Sequence, residues 1–147
     1  MSAVDRDPYS ANNFEVDLGT GVLGFAEVSG LGYEIAYLDD AHNHERAARA
    51  PKRVTARVSE VSLKRGLTDD LSVWQWVQAA AHGKDEPRTV TIRLLDAQRR
   101  PTCSWVLRGA RPTKWVGPTL SATGTAVAIE ELVLAADSID FSARPDG

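Results

Sequence analysis

Along most of this chain apolar and polar residues alternate one for one, and that period of two commits the backbone to strands with one buried face. Phe14, Val16 and Leu18 alternate up to a Gly19-Thr20-Gly21 turn. A run from Val22 to Ser29 follows, and Gly30-Leu31-Gly32 turns the chain into Tyr33 to Leu38. The pattern predicts an N-terminal meander of three strands. A long strand is expected from Val54 towards Lys64, with Val54, Ala56 and Val58 on one parity and Val61 and Leu63 on the other. That switch at Ser59-Glu60 predicts a β-bulge, because one extra residue returns the apolar side to the core. A second switch occurs where Val127 and Ile129 give way across Glu130-Glu131 to Leu132 and Leu134. Both read as bends in strands that wrap around a barrel.

Other segments complete a mainly β fold. Strands are expected near Arg88 to Leu95 and Thr102 to Ala110, joined by the polar turn Asp96 to Pro101, and again near Thr113 to Val116 and Thr125 to Leu134. Between the two halves lies a segment with helical spacing. Thr68 is suited to cap it, Asp69 and Asp70 put negative charge at its positive end, and Gly83 offers a left-handed stop. At about 100° per residue, Val73, Trp74, Val77, Ala80 and Ala81 share a face that should pack on the sheet. Core candidates are therefore Phe14, Phe25, Leu63, Trp74, Val77, Ile92, Trp105 and Ile129.

Residues 39–53 have neither period and hold few groups able to enter a core, so they are expected to form a long exposed loop. Its backbone needs hydrogen-bond partners that a small domain does not supply, and an intermolecular contact would supply them. The tail 143–147 is expected to be loose. With no internal repeat, low-complexity tract or linker, residues 1–147 read as one domain.

Charge is unevenly distributed. Overall, 17 Lys and Arg against 20 Asp and Glu give a net charge of −3, too little for a global attraction to nucleic acid or acidic membranes. Residues 1–40 nevertheless hold eight acids and one base, whereas residues 46–65 hold seven bases and one acid. Two readings stay open. The basic stretch could grip phosphates with a steep salt dependence, or acidic and basic surfaces could meet head to tail between copies. The small net charge favours the second.

No catalytic signature accompanies these charges. The one cysteine, Cys103, has neither a disulfide partner nor an activating base, and it shares the parity of Trp105 and Leu107, as a small buried hydrophobe would. His42-Asn43-His44 lacks the ββα unit of the nuclease motif those letters spell, and neighbouring loop residues are poorly preorganised for a metal. Gly19 to Gly24 lacks the setting of a nucleotide-binding turn, and the serines lack a nucleophile elbow. The expectation is no enzyme, no cofactor and no metal. Trp74 and Trp105 point to the core, while Trp76 and Trp115 divide between burial and partner contact. The N-terminus has no basic start leading into an apolar stretch, and no apolar run approaches a membrane span of about 18 residues. Cytoplasmic assembly without a signal peptide or membrane insertion is expected.

Two segments then give the sequence a family likeness. Gly24-Phe25-Ala26-Glu27-Val28-Ser29-Gly30-Leu31 with Glu34, and Val61-Ser62-Leu63-Lys64-Arg65-Gly66-Leu67-Thr68 running into Leu71 and Trp74-Gln75-Trp76, resemble the tail-tube proteins of contractile phages and the inner-tube proteins of phage-tail-like contractile injection systems. Ile92-Arg93-Leu94-Leu95-Asp96, Trp105, Gly117-Pro118 and Ala128-Ile129-Glu130-Glu131-Leu132 extend the likeness over residues 12–138. One departure is Ala50-Pro51-Lys52-Arg53-Val54-Thr55, which has no glycine and more positive charge than the Pro-Gly-Leu-like segment of many relatives.

The resemblance implies a β-barrel or sandwich with one flanking helix, assembled into hexameric rings that stack as a hollow tube inside a contractile sheath. It implies no catalysis and no specific nucleic-acid binding. Its partners would be further copies of the chain, sheath, baseplate or spike-hub and cap proteins, with cargo in the lumen. In this picture the loop 39–53 reaches a neighbouring ring or subunit. The expected interface comprises Asp39, Asp40, Arg46, Arg49, Lys52, Arg53 and Arg57, with Glu27 and Glu34 from the acidic strands. The alternative is a monomeric or dimeric β-barrel that binds a small ligand or nucleic acid.

Overall fold

The computed structural model describes residues 13–38, 53–124 and 127–143. The expectations for residues 39–52, for the start of the last predicted strand at Thr125 and for the tail 144–147 fall outside them. In chain order the elements are β1 Phe14–Asp17, β2 Val22–Leu23, β3 Glu27–Ser29, β4 Tyr33–Leu38, β5 Arg53–Val58, β6 Val61–Gly66, α1 Ser72–Ala81, β7 Arg88–Leu95, β8 Pro101–Val116, β9 Ile129–Ala135 and β10 Ser138–Ser142.

The strands form one antiparallel path, β2-β1-β7-β8-β9-β6-β3, and β4 and β5 form a separate two-stranded hairpin. The sixteen-residue β8 unites the path, merging the two strands expected at 102–110 and 113–116. Its partner changes from β10, which ends at Ser138↔Arg108, to β9, which begins at Ala135↔Arg111. Consecutive strands β9 and β10 thus lie end to end along β8. A register shift between Pro112 and Lys114 puts a bulge on β8, opposite β9. The N-terminal meander is not formed. Although β1 pairs with β2, β3 pairs with β6 and β4 with β5, so the first four strands are distributed over three neighbours.

Both parity switches have physical causes other than those expected. At Ser59-Glu60 the ladder breaks altogether: β5 leaves the hairpin and the chain enters β6, between β3 and β9. Ser59 N–H donates to Gly32 O at 2.9 Å there. At Gly30, with φ +88°, a side chain would run into the Glu60 carbonyl, so the two turns pack in a space open only to glycine. At Glu130-Glu131, by contrast, β9 runs on without a break. The apolar parity is Leu132 and Leu134, and Glu130 holds the preceding core-facing position as a buried charge. Ile129 therefore faces outward, against expectation.

The core brings together Val16, Leu18, Val61, Leu63, Val90, Ile92, Leu107, Leu132 and Leu134 with Val73 and Trp76 of α1. Phe14, Phe25, Val77 and Trp105 pack against it half-buried, and Cys103 is buried as expected. The helix starts at Ser72 instead of near Thr68, and Leu71 at its N-cap makes no side-chain cap. The Asp70 carboxylate accepts from Ser72 N–H at 2.9 Å instead. Its end is as predicted: Gly83, at φ +86°, donates to Ala80 O while Lys84 N–H reaches Ala79 O, a left-handed stop. The buried face, however, is centred on Val73 and Trp76. Trp74, about 130° around the helix from the centre of that face, is 42% exposed, whereas Trp76 is 1% exposed, so the core tryptophan of the pair is the second.

Candidate assembly surfaces

Among the described residues, two apolar surfaces stand outside the core. The first is the β4–β5 hairpin. Its register sets Tyr33 opposite Val58, Ile35 opposite Ala56 and Tyr37 opposite Val54, so these six share one face. Only Val58 is buried; Tyr33, Ile35, Tyr37 and Val54 are all exposed, Tyr37 at 66%. A two-stranded ribbon is marginal alone, and Tyr33 anchors this one. Its hydroxyl donates to Ile139 O at 3.0 Å and accepts from Ile139 N–H at 2.9 Å.

A groove beside the start of α1 is the second surface. A recess of about 230 Å³ is lined by Leu67, Thr68, Asp70, Leu71, Trp74, Trp115 and Glu130. Its aromatic wall is held from behind. Arg65, 4% exposed, donates through Nε to Glu130 Oε2 at 3.2 Å and through Nη2 to Asp70 O at 3.3 Å. Its guanidinium also lies 5.4 Å from the centre of the Phe25 ring. Glu130, 5% exposed, uses its other oxygen to accept from Trp115 Nε1–H at 3.0 Å. The Trp115 ring then meets Trp74 at 5.0 Å between centroids, tilted by 59°. The Ser72 backbone N–H, aided by Arg65, keeps Asp70 below the usual carboxylate range and ionised at the groove lip.

The expected interface charges divide. Asp39, Asp40, Arg46, Arg49 and Lys52 lie outside the described residues, and Arg53 begins β5 with its side chain likewise outside them. The remaining three pair within the chain. Arg57 meets Glu34 at 2.9 Å and Lys64 meets Glu27 at 3.7 Å, both as cross-strand neighbours. Part of the acidic-to-basic asymmetry is therefore the register of two ladders. With Arg65 bound to Glu130, the three described bases of this stretch that carry ion pairs face carboxylates, which leaves the phosphate reading without support from them.

Sequence reasoning missed the Arg65–Glu130–Trp115 connection, although a glutamate on the core parity of β9 was its signal. The Tyr33, Ile35, Tyr37 alternation likewise marked the hairpin face. Among the described residues no cluster of His, Cys, Asp and Glu could hold a metal, and no helix is long and apolar enough to cross a membrane. A second recess, of about 240 Å³ between the α1 C-terminus and Arg111, is also smaller than the roughly 300 Å³ at which small-molecule sites begin. There Arg111 binds Asp85 at 2.7 Å, which holds the Asp85 carboxyl below its ordinary range and raises the guanidinium.

Known proteins share this sequence pattern and fold over nearly the whole chain. The sequence model of the T4-like virus tail tube protein gp19 family matches residues 10–140. The chain belongs to this family. It is thus a tail tube protein, a structural component of phage-tail-like particles. Among solved structures, a chain of the sheath–tube complex of the extracellular contractile injection system PVC in its extended state matches with a TM-score of 0.74 and 20% identity, covering 96% of this chain and 95% of that one. A chain of the anti-feeding prophage cap matches with a TM-score of 0.72 and 19% identity, covering 93% and 92%. Hcp1 from Flavobacterium johnsoniae matches with a TM-score of 0.62 and 11% identity, covering 89% and 95%. No curated protein sequence matches the tail tube protein. The fold shared with these chains is the one described above, mainly β with a flanking helix.

Proposed function

We propose that this tail tube protein is the inner-tube subunit of a contractile injection system or phage-like tail. It forms hexameric rings, the rings stack into a hollow conduit, and sheath contraction drives the conduit outward. The observation that carries this reading is the β4–β5 hairpin, a ribbon with four large exposed apolar residues on one face. A lone domain gains nothing from holding such a ribbon in water. A subunit that lays it on a neighbour gains the burial of that face.

The remaining parts of the reading follow from assembly. Strands β2 and β3 stand at the two ends of the sheet path, and edge positions of this kind can join sheets between subunits. The basic residues Arg46, Arg49, Lys52 and Arg53 of the loop and strand start, with Asp39 and Asp40, would add head-to-tail contacts. Partners are sheath, baseplate or spike-hub and cap proteins, and cargo passes along the lumen. The subunit is assembled in the cytoplasm, and its work is mechanical, not catalytic.

Negative-stain electron microscopy of the purified protein at micromolar concentration, with its mass distribution alongside, tests the proposal. Rings or tubes of uniform bore are expected. A homogeneous monomer that shifts a short nucleic acid at low salt, and releases it at moderate salt, would replace the tube by the binding-barrel alternative.

A further inference from the structure

Two strands joined by a tight turn inherit their register from that turn, whereas strands brought together from distant parts of the chain find theirs through side chains. The ladders of this domain divide along that line. Turns at Leu18–Gly21 and Asp96–Arg100 close β1–β2 and β7–β8, and among the described residues neither ladder carries an ion pair between its strands. Ladders without such a turn do carry one. Glu15 stands opposite Arg93 in β1–β7, Glu27 opposite Lys64 in β3–β6, Glu34 opposite Arg57 in β4–β5 and Arg65 opposite Glu130 in β6–β9, and each of these couples is an ion pair. In β8–β10 the Arg108–Asp140 pair spans a diagonal. Strands β8 and β9, joined through residues 117–128, have the Trp115–Glu130 hydrogen bond instead.

Of these, Arg65–Glu130 is the buried pair, and in its ladder the apolar residues leave the register open. Core side chains meet there as Val61 with Leu134 and Leu63 with Leu132. Sliding β6 by two residues keeps every side chain on its own face, and it still sets aliphatic on aliphatic, Leu63 on Leu134. The same slide sets Arg65 on Leu132, and the opposite one sets Leu63 on Glu130. Either way two side chains only 5% and 6% exposed lose each other. A buried charge stripped of its partner is strongly destabilising, whereas an exposed pair such as Arg57–Glu34 contributes little. Strand β6 carries β3 on its far side, and Arg65 Nη2 holds Asp70 O at the start of α1. A slide of two residues would displace β6 by about 7 Å along the sheet.

We infer that the buried Arg65–Glu130 pair sets the register of β6 against β9, so that β6 follows the position of the glutamate. Setting a register is the best-attested use of a buried polar group whose net contribution to stability is small. Arg65 and Glu130 are thus positioning residues, and what they position is the seam between β3-β6 and the rest of the sheet path. The device belongs to the single chain and holds whether or not the chain forms a tube.

Cysteine trapping reads the register directly. Ser62 and Val133 are opposed in the β6–β9 ladder, while Lys64 and Val133 stand two positions out of step, too far apart for a disulfide unless β6 moves. Proteins carrying Ser62→Cys with Val133→Cys, or Lys64→Cys with Val133→Cys, are refolded from urea in a glutathione buffer, and the linked peptides are identified by mass spectrometry. With Arg65 and Glu130 intact, only the Ser62–Val133 couple should link. Exchanging two core residues, Glu130→Leu with Leu132→Glu, moves the carboxylate by two positions and keeps the composition of the core. The link should then pass to the Lys64–Val133 couple, its yield rising about tenfold or more over the unexchanged protein. A link that stays at Ser62–Val133 in the refolded exchange variant overturns the inference. A pair that merely adds stability would alter the melting temperature and leave the link in place. The second arm is Arg65→Met with Glu130→Leu, which strands no charge in any register. Both cysteine couples should link in that background, and a link confined to Ser62–Val133 refutes the inference even if the exchange variant fails to refold.

Discussion

Glu130 and Arg65 show how much one charged pair can organise. Each is almost wholly buried, and between them they engage Trp115, Asp70 and Phe25. Replacing Glu130 by Gln leaves the guanidinium without its counter-charge and should cost about 3 to 5 kcal/mol in urea unfolding. Arg65→Met combined with Glu130→Leu should cost less than that single change, because no uncompensated charge remains. The tryptophans of α1 separate in the same assay: Trp76→Ala should cost about 3 to 5 kcal/mol and Trp74→Ala under about 2, since only Trp76 is in the core. Three aspartates set the acid limb. Asp70, Asp85 and Asp96 are held below their ordinary value of 3.8, chiefly by hydrogen bonds from Ser72, Arg111 and Arg100 respectively. Groups with depressed folded pKa values stabilise the fold above 3.8 and cease to do so as pH falls through their lower folded values. The melting temperature should therefore fall as the pH drops from about 4, and Asp85→Asn should flatten part of that slope.

At the scale of the element, what the sequence showed depended on whether a local period decided the outcome. Strands β1, β4, β7 and the hinge of the hairpin at Gly30-Leu31-Gly32 follow from alternation and turn chemistry, and the helix stop follows from Gly83. The pairing of those strands was not legible. Period two says that a face is buried, but not by which neighbour, so a three-strand meander and the observed distribution over three partners give the same pattern. The Trp74 and Trp76 exchange has a similar origin, since moving the buried arc of α1 by part of a turn changes which ring it includes. Strand β10 went unforeseen because Ser138 to Ser142 contains only two large apolar residues, Ile139 and Phe141. The hairpin offers an element-level test. Tyr33→Phe removes the hydroxyl that holds Ile139 on both sides, and hydrogen exchange should quicken about tenfold across residues 33–38 and 53–58 while β7 and β8 keep their protection.

For the whole molecule, the sequence already contained the family in its Leu-Lys-Arg-Gly and Trp-x-Trp segments, and the match over residues 10–140 establishes it. Some of the charges proposed for the interface also pair within the chain. Arg57 and Lys64 each face a carboxylate of their own chain, and the proposed stacking charges are Arg49, Lys52 and Arg53. Reversing those three to glutamate should impair stacking, read as shorter tubes in electron micrographs at low salt, with an unchanged circular-dichroism spectrum of the monomer. Finally, the sixteen-residue β8 pairs with β7 and β10 on its two sides over its first part and with β9 over its last. Antiparallel hydrogen bonds lie across the strands, so a force along β8 loads those ladders together in shear, whereas a force across it peels them one bond at a time. The domain therefore has a grain, stiff in one direction and splittable in the other.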